Sequence, residues 1–303
     1  MEITPMKISL GPLLYYWTHD KIRDFYDQVA NWPVDIVYLG EVVCTRRHEM
    51  RFDDWLNVAG QLAAAGKQVV LSTQALIESE SDLKALRRII SNGLFPIEAN
   101  DMGAVRLAVG QSFIVGPHIN TYNGQILEIL GQQGAKRWVM PVELSRDRLA
   151  ELLTQKPQEI ETEVFAYGRL PLAFSSRCFT ARRFNLPKDN CRFKCLEHPS
   201  GITLNTRDGQ PFLALNGTQT QSASIYNLIG EIDAMRQLGV DVLRLSPQPE
   251  HIGQVAATFR ARIDGMMSTT EAKAALAPCL FDVPCDGYWH GRSGIEQSME
   301  TLS

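Results

Sequence analysis

Short apolar runs alternate with amphipathic stretches along most of the chain, and the alternation predicts a strand followed by a helix, many times over. Residues 7–14 read as a first strand and 19–32 as a helix. Residues 35–43 (DIVYLGEVV) form the next strand, running directly into Cys44, and 52–65 a helix closed by Gly66. A strand over 68–72 leads to a helix over 81–91, with Ser81 as its N-cap because a serine hydroxyl satisfies a free amide of the first turn. Strands at 95–98, 112–116, 138–142 and 161–167 alternate with helices at 104–109, 124–130 and 147–153. A hairpin over 201–204 and 211–215, a helix over 225–238, a strand over 240–245 and a helix over 252–263 complete the series.

The runs VVL, FIV, WVM and VDVL are continuously apolar, as strands of a parallel sheet buried on both faces are. Eight strand–helix units over about 265 residues match the usual length of a (β/α)8 TIM-like barrel. A doubly wound open sheet is the alternative, but it calls for a glycine fingerprint after the first strand, and SLGPLLYYW has none. The chain therefore reads as a single barrel-like domain over 1–303. It carries an insertion at about 168–220 after strand seven and a tail at about 265–303. Barrel chemistry takes place at the C-terminal ends of the strands. Cys44, after strand two, and the cysteine-bearing stretch after strand seven then open onto one face.

The 303 residues are 45% apolar and carry a formal net charge of -4. That is enough to bury a large core, and the charge argues against an electrostatic nucleic-acid binder. The N-terminal MEITPMKISLGPLLYYW lacks the pattern of a secretory signal, and no run approaches the roughly 18 apolar residues of a membrane span. Both point to the cytoplasm, where grouped cysteines signal metal binding or catalysis more often than disulfides.

Cys178, Cys191 and Cys195 lie among Arg177, Arg182, Arg183, Lys188, Arg192 and Lys194, against the single acid Asp189. Nearby cations lower a thiol's pKa and favour the thiolate that binds metal. With Cys44 the set offers four soft ligands, suited to a tetrahedral zinc or to an iron–sulfur cluster. Only Cys191 and Cys195 have the close spacing of a zinc knuckle, and dispersed ligands suit a wide cluster better. Free structural cysteines are the bland alternative. Cys279 and Cys285 read as reduced thiols beside an aromatic packing motif, or as the source of a fourth ligand in place of Cys44.

Other motifs fall short. The stretch GQLAAAGK (60–67) runs from helix into strand and lacks the Ser or Thr of a phosphate loop, so it is a helix cap. There is no His-Glu-x-x-His and no Gly-x-Ser-x-Gly. Polar residues at strand ends form a candidate substrate shell of Glu41, Ser72, Gln74, Glu98, Asn100, Glu143, Tyr167 and Arg169, with His118 beside it. Glu41 and Glu98 are candidate general acids or bases, and Arg169 a candidate anion clamp. Solvated or loop-bridging roles compete for each of them.

The segments YLGE, LSTQAL, MPVELSRDRL, YGRLPLAFSSRCFTARRFNLPKDNC, LNGTQT, VDVLRLSPQ and CDGYWHG together resemble the collagenase-like peptidase U32 family, over about 7–294. The resemblance is closest to the members that serve oxygen-independent ubiquinone biosynthesis. It implies a barrel-like fold and a 4Fe-4S cluster whose ligand pattern falls on Cys44, Cys178, Cys191 and Cys195. It also implies a heterodimer with a UbiU-like sister protein and hydroxylation of the ring of a ubiquinone precursor without dioxygen. Prephenate is the oxygen donor suggested by such relatives, and the polyprenyl tail calls for a lipid-carrying accessory protein. Peptidase activity does not carry over, since no serine or cysteine nucleophile has a base partner in the sequence. An RNA base hydroxylase, or a non-catalytic subunit with a structural cluster, are the other roles the resemblance leaves open.

Overall fold

Seven strands run in parallel order around a closed sheet: β1 (Lys7–Leu10), β2 (Ile36–Leu39), β3 (Gln68–Ser72), β4 (Ile97–Ala99), β5 (Phe113–Val115), β6 (Ala135–Val139) and β7 (Glu161–Phe174). After β7 the chain forms an antiparallel platform of β8 (Ile202–Asn205), β9 (Pro211–Asn216) and β10 (Gln219–Asn227). It then re-enters the barrel as the eighth strand, β11 (Val242–Leu245), parallel to both β7 and β1, which closes the ring. A two-residue strand β12 (Pro284–Cys285) pairs with β10. This computed structural model describes residues 5–298; the outermost ends of the domain read from the sequence, 1–4 and 299–303, lie outside the described residues. The eight-stranded closed barrel read from the apolar alternation is the observed fold.

Around the barrel run α1 (His19–Val29), α2 (Phe52–Ala64), α3 (Glu80–Ile90), α4 (Met102–Ala108), α5 (Gly124–Gln132) and α6 (Arg146–Leu153). The short α7 (Phe179–Arg183) lies in the insertion, and α8 (Ile232–Leu238), α9 (Ile252–Ile263) and α10 (Thr269–Leu276) follow. Their apolar stripes, such as Trp55, Leu86, Leu127, Leu149 and Phe259, meet the outward side chains of the strands in one continuous core. Each such buried side chain contributes about 1.5–3 kcal/mol relative to exposure.

The structure corrects several expectations. Ser79, not Ser81, caps α3, accepting the Asp82 amide at 3.2 Å. The hydroxyl of Ser81 is instead hydrogen-bonded to that of Ser79. Residues 225–227, expected to open a helix, finish β10, and α8 begins only at Ile232 after a tight turn. Apolar residues on a strand flanked on two sides mimic a helix in a short window. The predicted hairpin is present, but its third strand, β10, was not foreseen. Strand seven does not stop at Tyr167 but continues to Phe174, leaving the barrel halfway along its length and pairing antiparallel with β10 beyond it. Gly168 sits at the departure point with φ +122°, where a Cβ would lie 2.7 Å from the Ser246 Cβ.

The barrel lumen is not purely apolar. One layer is Ile36, Tyr38, Val70, Ile114, Val139 and Val242. Beside it, fully buried Glu163 accepts from Arg244 Nε (2.6 Å), Ser9 Oγ (2.6 Å) and Tyr38 OH (2.6 Å). Arg137 stands 3.8 Å from it. Arg244 also reaches Glu98 at 2.7 Å. Burial works against the Glu163 charge, but Arg244 and then Arg137 outweigh it and hold the carboxyl below its usual range. The network fills the space that lumen side chains fill in other small barrels. Replacing Glu163 with Gln leaves two buried guanidiniums facing a neutral group, and we expect a loss of about 3–5 kcal/mol in urea unfolding. A loss below about 1 kcal/mol would show that the network is not what holds the lumen.

Candidate four-thiol site

The C-terminal rim of the barrel is built up by the insertion. β7 carries the chain outward, and Cys178 follows as the N-cap of α7, its sulfur accepting the Ala181 amide at 3.4 Å. Two short 3-10 turns then hold Cys191 and Cys195. Between those cysteines Arg192 and Phe193 both adopt left-handed backbone (φ 52° and 50°), a conformation costing roughly 1–2 kcal/mol per non-glycine residue. The double reversal folds the loop tightly enough for Cys191 and Cys195 to face the same space.

That space is shared with Cys44. Gly40 (φ +130°) ends β2 where a Cβ would collide with the Ser72 carbonyl at 2.6 Å, so the chain turns sharply into the Cys44 loop. Cys44, Cys178, Cys191 and Cys195 line one small cavity of about 20 Å³, together with Arg47, Thr180, Ala181, Phe193 and Gly217. The four thiols singled out in the sequence thus converge from two distant segments. Among the described residues, no three His, Cys, Asp or Glu side chains are arranged to hold a metal ion. Cys279 and Cys285 are buried elsewhere, on the tail, and neither lines the cavity.

Arg47, which sequence reasoning passed over, organises the site. Its guanidinium is buried and donates to the Leu14 carbonyl (2.7 Å) and to Asn216 Oδ1 (2.8 Å), and it stands 3.5 Å from Glu41. Its positive charge also acts on the nearby Cys195 and Cys44 sulfurs. The turn after β9 adds further rivets. Thr218 Oγ1 donates to the Val43 carbonyl at 2.6 Å, and the Gly217 amide donates to Thr180 Oγ1 at 3.0 Å. The LNGTQT segment therefore clamps the Cys44 loop to the Cys178 helix.

Cys44 and Cys195 shift opposite to the expected acidification. Burial pushes the Cys44 thiol up to about 11 and the Cys195 thiol upward as well, with Arg47 only partly offsetting it. Arg177, Arg182, Arg183 and Arg192 point to solvent instead. Burial also raises Glu41, which is tied to the Val43 and Cys44 amides (2.8 and 3.0 Å) and so shapes the cysteine loop.

The remaining candidates separate. Glu98, Asn100 and His118 do line a second cavity of about 20 Å³ at the barrel mouth, with Arg244, Phe165 and Pro171. That space takes about one water. Glu98 is held there by Arg244 and by Ser72 Oγ (2.7 Å), and His118 packs edge-on against Phe174. Tyr167 does not face the mouth: its ring packs on Phe259 of α9 and its hydroxyl donates to the Cys279 carbonyl at 3.4 Å. β7 bulges there against β11, which turns Tyr167 outward. Arg169 is no free anion clamp either, since it donates to the Ser200 carbonyl (2.8 Å), pairs with Asp282 (3.6 Å) and covers Phe281. Gln74 lies on a separate groove between α2 and α3, and Glu143 accepts from Tyr122.

These features define an α/β barrel whose distinctive feature is a cluster of four thiols on the rim, one buried and three half-buried, rather than a group inside the mouth. The sequence model of peptidase family U32 matches residues 21–296, and the chain belongs to that family. Similar solved structures include the U32 peptidase Mk0906 (10% identity, 81% of this chain and 94% of that one, TM-score 0.46). Others are the spore cortex-lytic enzyme SleL of Bacillus megaterium (12%, 85% and 75%, 0.44) and dihydrodipicolinate synthase from Aquifex aeolicus (7%, 90% and 81%, 0.40).

Burial, then Arg244, lowers His118 to about 3, so it stays neutral in the folded chain while the unfolded chain protonates it near 6.5. The unfolded state thus binds more protons, and this histidine's contribution to stability is lost as pH falls from about 6.5 towards 3. Urea midpoints measured between pH 7 and pH 4.5 should decline, and His118→Gln should flatten that slope. An unchanged slope would place the sensitivity elsewhere.

Proposed function

We propose that Cys44, Cys178, Cys191 and Cys195 hold a 4Fe-4S cluster, and that the chain is a UbiV-type subunit of an oxygen-independent hydroxylase. In this reading it acts with a UbiU-like partner on the aromatic ring of a ubiquinone precursor. The observation that carries it is the convergence of four thiols on one cavity. Four sulfurs and no nitrogen or oxygen donor form a soft set, the chemistry of a cluster or of zinc. The family membership and the quoted segments favour the cluster.

When bound, such a cluster supplies one-electron transfer at a potential set by its surroundings. The chain's own residues define those surroundings. The Arg47 charge acts on Cys195 and Cys44, offsetting the negative charge of a four-thiolate site. Phe193, Ala181 and Thr180 form its dry wall. The cavity must widen to take a group of that size, and the two 3-10 turns carrying Cys191 and Cys195 bury no residue, so they are the part free to give. The left-handed pair Arg192 and Phe193 also fits a loop held by an external ligand, because such conformers persist only where something else fixes them.

The prenylated precursor would reach the site from a lipid-carrying accessory protein, since no helix among the described residues is long and apolar enough to cross a membrane. Prephenate remains the proposed oxygen source.

Protein purified without air should carry about four iron and four sulfide per chain with a cluster absorption and paramagnetic spectrum. Cys191→Ala should lose most of that iron. Stoichiometric zinc in its place, or an iron-free sample active with its partner, would sink the reading. Chelating the metal should make residues around 188–200 the first point of protease cleavage, since little core holds them.

A further inference from the structure

A groove of about 720 Å³, within the size range of small-molecule sites, lies between α2 and α3, away from the thiols. Helix α1 packs on α2 and α3 on α4, but α2 and α3 stand apart, joined across the gap by Arg88, which pairs with Asp53 at 2.6 Å and covers the Phe52 ring. The floor is apolar: Leu39, Met50, Trp55, Leu71, Ile77 and Leu86. Leu39, Leu71 and Leu86 are almost completely covered beneath the groove, so the apolar surface that opens to it is that of Met50, Trp55 and the half-buried Ile77.

The charged groups on the wall are nearly all positive: Arg47, Arg51, Lys84, Arg87 and Arg88 against the single acid Glu41. Glu41 is already committed to Arg47, while Arg87 and Arg88 pair with Glu80 and Asp53 outside the wall. Lys84 and Arg51 have no acidic partner among the described residues. An apolar floor under a rim with two uncompensated cations matches a molecule with one apolar chain and one negative end.

We propose that this groove binds a free amphiphile, a long hydrocarbon or isoprenoid chain ending in a carboxylate. The chain lies on the Met50, Trp55 and Ile77 floor, and the carboxylate meets Lys84 and Arg51. Thr45 and Arg47 form part of the same wall, so an occupant rests against the back of the Cys44 loop. The inference stands on the groove alone and does not need the metal site to be filled.

The test is titration of the full, delipidated chain with cis-parinaric acid, following its fluorescence and that of Trp55, in samples with and without bound iron. Saturable one-site binding is expected in both. Ala85→Trp, which fills the groove from an exposed position on α3, should weaken it at least tenfold, and Lys84→Glu about threefold or more. Competing fatty acids should gain about three- to fourfold per added methylene, and the matching alcohols should compete more weakly. Thermal melts of both variants serve as the folding control. No saturable binding, equal affinity in wild type and Ala85→Trp, or indifference to chain length would overturn the proposal. So would binding only to anionic vesicles, or a dimer that Ala85→Trp dissociates. Loss of binding with iron removal alone would count against this site without touching the thiol reading. Iron-free protein that still binds would leave the groove standing whatever becomes of the cluster.

Discussion

One buried guanidinium joins the parts of this molecule that matter for its chemistry. Arg47 reaches the segment after β1 through the Leu14 carbonyl, the end of β2 through Glu41, the platform through Asn216, and the cysteine loop through Cys195. Burying such a charge is costly unless every direction is answered. Here burial opposes its charge while Glu41, 3.5 Å away, supports it, so it remains protonated. Moving any one of the segments leaves a charge without its partner. The thiols are placed, in effect, by a residue that binds nothing itself.

The lumen network explains why the rim, and not the interior, holds the distinctive chemistry. Glu163, Arg244, Glu98 and Arg137 occupy the middle of the barrel and pair with one another, with Arg244 Nη2 left without a hydrogen-bond partner among the described residues, and room remains for about one water at the mouth. Residues that end on the inner face of a strand are thus spent on closing the barrel. The insertion after β7 supplies a new surface above it, with its own dry pocket.

Much of this was legible in the sequence. The apolar alternation gave eight strands and the barrel, and the barrel's geometry placed Cys44 and the later cysteines on one face. What could not be read was which polar side chains would be consumed. Glu98, Tyr167 and Arg169 stand at strand ends as substrate groups do, yet Glu98 faces Arg244, Tyr167 is rotated outward by a bulge, and Arg169 is pinned by Ser200 and Asp282. Partners more than a hundred residues apart decide such cases, and a local pattern holds no trace of them. Arg137 and Arg244 did leave one, as lone arginines inside the apolar strands KRWV and VLRL, where only an answering acid makes the position tolerable. The acidity of Cys44 and Cys195 was misjudged for a similar reason: a sequence neighbour such as Arg192 turns to solvent, while burial dominates.

The fourteen residues of β7 carry a wider implication. Their first half seals the barrel between β6 and β11, and their second half is the spine on which β10 lies. The thiol-bearing excursion is therefore no cassette that can be grafted onto, or excised from, an indifferent scaffold. Trimming it would cut into the ring's own closing seam, so scaffold and appendage stand or fall as one piece.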